Sequence, residues 1–253
     1  MDLTTLPAPV FTSLDGVTQL VTAICYLAVG AAAWLHAKHD IRTQVFLAFS
    51  IANAIVLGLP TYWWLRGTTD PTQWPPLTAA IVMSGVGVAA LVLFHFSQVF
   101  PRRRPWLRTS GAQIPAAYCI APIATAALVW FAPSSADRLS VPYILALIVF
   151  GFPLLVLLGI VLPVAAMTSL VRSYRDIHRE GLTRLKRPIE GILVSQIGGG
   201  TLTIVFAPVL ARVAPNSAVE TSLTLLIGIL GLLTPVAFAA AVWKYDVLSL
   251  ATD

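Results

Sequence analysis

Seven stretches of this chain run for about twenty residues or more without an Asp, Glu, Lys or Arg, and the charged residues crowd between them. They extend from Gly16 to Ala37, Thr43 to Leu65, Pro71 to Pro101, Thr109 to Ala136, Leu139 to Val171, Gly191 to Ala211, and Thr221 to Trp243. Roughly 20 apolar helical residues cross the hydrocarbon core of a bilayer. Trimmed at prolines and small polar residues, the runs predict helices near Val17 to His36, Gln44 to Leu65, Leu77 to Phe100, Gln113 to Phe131, Pro142 to Val171, Ile189 to Arg212, and Thr221 to Trp243. The pattern predicts an all-α membrane protein, a seven-transmembrane-helix bundle forming one domain over residues 1–253. The fifth helix is long for one crossing and carries Pro153 and Pro163, so a kink or tilt is expected, with its end continuing through Tyr174.

Charge adds orientation. Lys and Arg favour short cytoplasmic loops. Thirteen of the sixteen fall in one alternate set of connections: Lys38, Arg42, the Arg102 to Arg108 group, the Arg172 to Arg187 group and Lys244. Arg66, Arg138 and Arg212 make up the other set. The expected topology is N-terminus outside and C-terminus cytoplasmic, as a multi-pass protein of the cell membrane. All seven Trp fit helix ends, where the ring meets lipid and water: Trp63, Trp64, Trp74 and Trp130 at outer ends, Trp34, Trp106 and Trp243 at inner ends. The first residues lack a basic segment, so no cleaved signal peptide is expected. Arginine outnumbers lysine 13 to 3 in an alanine-rich chain, which suggests a bacterial inner membrane.

Composition narrows the function classes. Hydrophobic residues make up 57% and charged residues 11%, against roughly 25% charged in soluble domains. The net charge of +5 is divided among loops, so it reads as topology and nucleic acid is not an expected partner. No ionisable acid or base of the Asp, Glu, Lys or Arg type sits in the interior of a predicted helix, which disfavours a proton pump, an ion-coupled carrier or a voltage sensor. Lys244 lies past the seventh helix, out of place for a retinal Schiff base. Cys25 and Cys119 lie in apolar runs as small hydrophobes. No clustered metal ligands and no paired nucleophile and base are found, so neither an enzyme nor a cofactor is expected.

The most notable polar groups within the helices are Asn53, His95, Ser195 and Gln196. Each is a candidate for ligand contact, with interhelical hydrogen bonding as the simpler role. Gly198, Gly199 and Gly200 suggest close backbone approach or a flexible point, and Gly85 with Ala89 a helix contact. The basic segment bearing Arg172, Arg175, Arg179, Arg184, Lys186 and Arg187, together with Lys244, is the candidate surface for partner docking, alongside attraction to anionic lipid.

The run Phe94 His95 Phe96 Ser97 Gln98 Val99 Phe100 Pro101, followed by arginines, resembles the inner end of the third helix in the seven-helix N-terminal sensor region of bacterial histidine kinases. Arg184 Leu185 Lys186 Arg187 Pro188 Ile189 Glu190 Gly191 resembles that family's basic lead into the sixth helix, with Pro208 near the outer end of that helix. Ala241 Val242 Trp243 Lys244 Tyr245 Asp246 Val247 Leu248 resembles its seventh-helix exit. The resemblance implies a non-catalytic, receptor-like sensor or accessory subunit that passes a membrane or ligand signal to a cytoplasmic output. No phosphoacceptor or ATP-binding region follows before Asp253, so that output is expected on another polypeptide. The expected partners are the lipid bilayer, a cytoplasmic signalling protein and a second copy of the chain. The alternative is a small-molecule transporter or permease subunit, for which Pro153, Pro163, the glycine run and Asn53 speak.

Overall fold

The computed structural model describes residues 13–66, 75–101, 118, 122–124, 147–206, 209 and 218–249, and among them every regular element is helical. We number the helices α1 (Ser13–His36), α2 (Ile41–Leu65), α3 (Pro76–Val99), α4 (residues 147–179), α5 (residues 186–206) and α6 (residues 218–244). Short 3₁₀ turns, Thr183–Leu185 and Val247–Ser249, precede α5 and follow α6. Among the described residues, five segments are long and apolar enough to cross a membrane: Gly16–His36, Ile41–Trp63, Ala80–Val99, Phe152–Arg179 and Thr221–Lys244. They match the first, second, third, fifth and seventh predicted spans. The predicted fourth span lies outside the described residues except for Tyr118 and residues 122–124, and the sixth is helical as α5 as far as Phe206.

The observed ends depart from the sequence reading in one instructive way. Arg42 was taken as a boundary that held the second helix back to Gln44, yet α2 begins at Ile41 and Arg42 lies in its first turn. The Asp40 carboxylate caps that turn, accepting the Arg42 backbone N–H at 2.7 Å, the usual role of Asp at a helix start. Thr43 Oγ1 donates to the Ala37 and Asp40 carbonyls, and Gln44 Nε2 to the Lys38 carbonyl. Together these satisfy backbone groups that a lipid-facing chain end would leave stranded.

Each described helix packs on the next in sequence, and α6 closes back on α1. At the centre stand the rings of Phe46, Phe49, Phe96, Phe100 and Phe238, with Tyr26 beside them. Phe46 stacks on Phe238 at 3.7 Å, and Phe96 on Phe100 at 5.0 Å. Large apolar side chains such as Val17, Ile24, Leu35, Leu77 and Ile229 point outward, as lipid-facing positions do. Hydrophobicity cannot hold helices together in lipid, so small residues and polar bonds must. Gly30 shows this best: a Cβ there would stand 2.5 Å from Ser50 Oγ, so α1 and α2 cross at contact distance. Between α3 and α4, Ser169 Oγ donates to the Ser97 carbonyl at 3.0 Å.

Pro153 and Pro163 leave α4 continuous. Each removes a donor and crowds the carbonyl four residues earlier, and each is preceded by a wider π turn, Leu147–Gly151 and Leu157–Val161, that takes up the crowding. The expected extension of this helix past Tyr174 reaches Arg179. It stops in a Schellman motif. Gly181 takes φ +72°, Leu182 N–H bonds the Ile177 carbonyl at 3.1 Å and Gly181 N–H the His178 carbonyl at 3.4 Å. Only a residue without a Cβ adopts this conformation freely, and the chain turns directly into α5. Pro188 sits in the first turn of α5, where its missing donor costs nothing.

Candidate functional site

Asn53, Ser195 and Gln196, 143 residues apart in sequence at the extremes, meet around one cavity of about 360 Å³. The N-terminal halves of α1 and α6 and the middle parts of α2 and α5 enclose it, with Gln19, Thr22, Tyr26 and Thr203 as further polar lining. A hydrogen-bond chain forms its inner wall. Gln196 Nε2 donates to Thr234 Oγ1 at 2.9 Å, and Thr234 Oγ1 donates to Ser195 Oγ at 2.7 Å. The buried Tyr26 hydroxyl lies beside Thr234 and Gln196. Ser195 and Thr234 are buried, and the bond between them is what makes their burial tolerable.

Asn53 Nδ2 donates to the Phe49 carbonyl of its own helix at 2.8 Å, which leaves its amide oxygen as an acceptor at the cavity. Among the described residues, no Asp, Glu, Lys, Arg or His lines the space. Its chemistry is therefore that of a neutral, hydrogen-bonding pocket with apolar walls. The π turn Val194–Gly199 carries both Ser195 and Gln196 to the cavity, a deviation frequent where helices build sites. Gly199 and Gly200 line the cavity, and a Cβ on Gly200 would meet nothing within 4 Å. The glycine run thus makes room for the cavity. Among the described glycines, the tightest surroundings are those of Gly30.

His95 does not join this group. Its Nδ1 lies 2.7 Å from the Tyr118 hydroxyl, an interhelical contact between α3 and the region of the predicted fourth span. No cluster of three metal-ligating side chains occurs among the described residues.

Of the basic positions, Arg172, Arg184 and Arg187 are exposed, Lys244 lies 5.6 Å above the Tyr245 ring, and Arg175, Arg179 and Lys186 share a cleft with His178. A different arginine is buried. Arg42 is 1% exposed, and it sits where α2, α3 and the exit from α6 converge. Its Nε and Nη2 grip the Asp40 carboxylate at 2.9 and 2.6 Å. Nη1 donates to the carbonyls of Pro101 at 3.0 Å and Val247 at 2.8 Å, and Nη2 to that of Leu248 at 3.1 Å. The exit segment reaches it by a turn at Asp246, which takes φ +49°, a region that Asp visits more readily than most residues. Burial works to raise the Asp40 pKa, but bonds from the Arg42 side chain and backbone, the Arg42 charge and the Thr43 backbone outweigh it and hold the carboxyl below its ordinary value.

Sequence reasoning missed Tyr26, Thr22, Gln19 and Thr234 in the cavity, and Arg42 at the clasp. The first four are polar residues in apolar runs, a signal present but common. Arg42 was absorbed into the charge count, although Asp two residues before an arginine at a helix start is a capping pattern that marks the pair.

Comparison with protein-family models, with curated proteins and with solved structures finds no match to this chain. Any function therefore has to be argued from the cavity and the clasp.

Proposed function

We propose that the chain is a seven-helix membrane receptor module, N-terminus outside and C-terminus cytoplasmic, that binds a neutral small molecule in the cavity and passes the change to a cytoplasmic output partner. The observation that carries this reading is continuity. Tyr26 lines the cavity and packs edge-on to Phe49 at 5.7 Å. Phe49 lies against Phe96 and Phe96 against Phe100. The carbonyl of the next residue, Pro101, is held by Arg42, which also holds the exit segment. Two ends of the bundle are thus joined by packed side chains that cannot move singly. The charge asymmetry of the loops supports the topology, and the resemblance to histidine-kinase sensor regions supports the signalling role.

A ligand shifts such a bundle only through different affinity for two arrangements. The test fills the cavity without needing a ligand. Gly200→Leu in the full chain, reconstituted in nanodiscs, is compared with Gly58→Leu, where a side chain also meets nothing within 4 Å but lies away from the cavity lining. We expect Gly200→Leu alone to change amide exchange across residues 245–249 by about fivefold or more, the low end of allosteric coupling. Unchanged exchange there, with solute flux in proteoliposomes that Gly200→Leu blocks, replaces the receptor reading by a transporter.

A further inference from the structure

We infer that the cleft between the end of α4 and the start of α5 is a binding site for a phosphate group. It is formed by Tyr174, Arg175, His178, Arg179 and Lys186 around about 230 Å³. Arg175, His178 and Arg179 fall at i, i+3 and i+4, which places them on one face of the last turns of α4. The Schellman turn at Gly181 brings Lys186 back against that face. Lys186 Nζ stands 5.5 Å over the Tyr174 ring.

The charges are not balanced from within. Glu190 accepts the Tyr174 hydroxyl at 2.7 Å and lies 3.8 Å from Lys186. Among the described residues, no ion pair joins Arg175, His178 or Arg179 to a carboxylate. Two guanidinium groups and a partly compensated ammonium around one concavity repel one another, and a multivalent oxyanion relieves that repulsion. The flat guanidinium fork matches phosphate oxygens in pairs. The first helical residue of α5 is Lys186, so the positive end of that helix dipole adds to the same field.

Depth favours phosphate over other anions. Val171 is the last apolar residue before Arg172. At about 1.5 Å per residue, Arg175 lies roughly 6 Å past it and Arg179 roughly 12 Å. The headgroup layer is about 5–8 Å thick on each side, so the cleft begins at the level of phospholipid phosphates, at Arg175, and opens into the water beyond it, at Arg179. The same chemistry admits a dissolved phosphate, and the experiment separates the two sources. The site stands apart from the cavity and does not depend on the receptor reading.

The full chain is purified into phosphate-free maltoside micelles and measured alone, with phosphatidylglycerol added, and with inorganic phosphate in the buffer. Thermal unfolding reports binding, because a ligand of the folded state raises the midpoint. Arg175→Gln with Arg179→Gln is set against Arg184→Gln with Arg187→Gln, which removes equal charge outside the cleft. Arg179→Gln alone serves if the first pair does not fold. We expect phosphatidylglycerol, inorganic phosphate or both to stabilise the native chain. We also expect the cleft variant to bind about tenfold or more weakly, as loss of a charged hydrogen bond implies, while the control pair changes by less than about twofold. Stabilisation in only one arm names the source. Equal weakening in both variants means diffuse attraction of a basic segment to an anionic surface, and no stabilisation in either arm means no site; each overturns the proposal.

Discussion

Replacing Arg42 by Met tests the clasp that ties the exit of α6 to the rest of the bundle. Methionine keeps the length and the apolar stem but removes every donor. The loss includes the paired contact with Asp40 and the bonds to the carbonyls of Pro101, Val247 and Leu248. An exposed ion pair would be worth about 0–1 kcal/mol. Here the guanidinium is 1% exposed and the Asp40 side chain 15%, so the relevant case is a buried charge deprived of its partner, which costs about 3–5 kcal/mol. Most of that is the stranded carboxylate, so adding Asp40→Asn should recover a large part. Arg42→Lys should fall between native and Met, because a single ammonium cannot reach two segments and grip a carboxylate in the same geometry. The assay is unfolding in mixed micelles together with amide exchange over residues 245–249. We expect faster exchange there in Arg42→Met before any global loss of structure. Exchange at the native rate and a stability change under about 0.5 kcal/mol, the usual range for surface substitutions, would refute the claim that Arg42 holds the exit segment.

Three further outcomes follow from the same structure. Because the folded Asp40 carboxyl is held below its ordinary value, its contribution is fully present above the unfolded pKa of about 4 and is lost as pH falls through the folded value. Unfolding midpoints should therefore show no pH dependence from this pair between pH 8 and 5 and an acid decline below about pH 4; an identical decline in Asp40→Asn would show that another group causes it. Gly30→Ala drives a Cβ to 2.5 Å from Ser50 Oγ, an overpacking worth about 1–3 kcal/mol, and Ser50→Gly should restore part of it. Gly58→Ala, with nothing near, should be neutral or gain up to about 1 kcal/mol from helix propensity, as measured by the same unfolding assay.

Spans were legible in the sequence because the bilayer imposes a length and forbids stranded backbone groups, so twenty apolar residues in a row carry their own structural assignment. Asn53, Ser195 and Gln196 were visible for the same reason, since a polar side chain in such a run stands out. What the sequence could not show was that these three face one another. Helix position is set by packing of small residues and by which faces meet, and apolar runs this uniform offer little periodic signal to choose a face. The ring order of helices, the approach of α1 and α2 at Gly30 and the π turns of α4 and α5 decided it. Arg42 shows the limit most sharply. Counted along the chain it is one more loop cation, exposed and read by topology. Only the tertiary structure brings the Asp40 carboxylate and three carbonyls from two distant segments around it, and in a water-poor junction that convergence turns a surface charge into the buried link between the bundle and its exit.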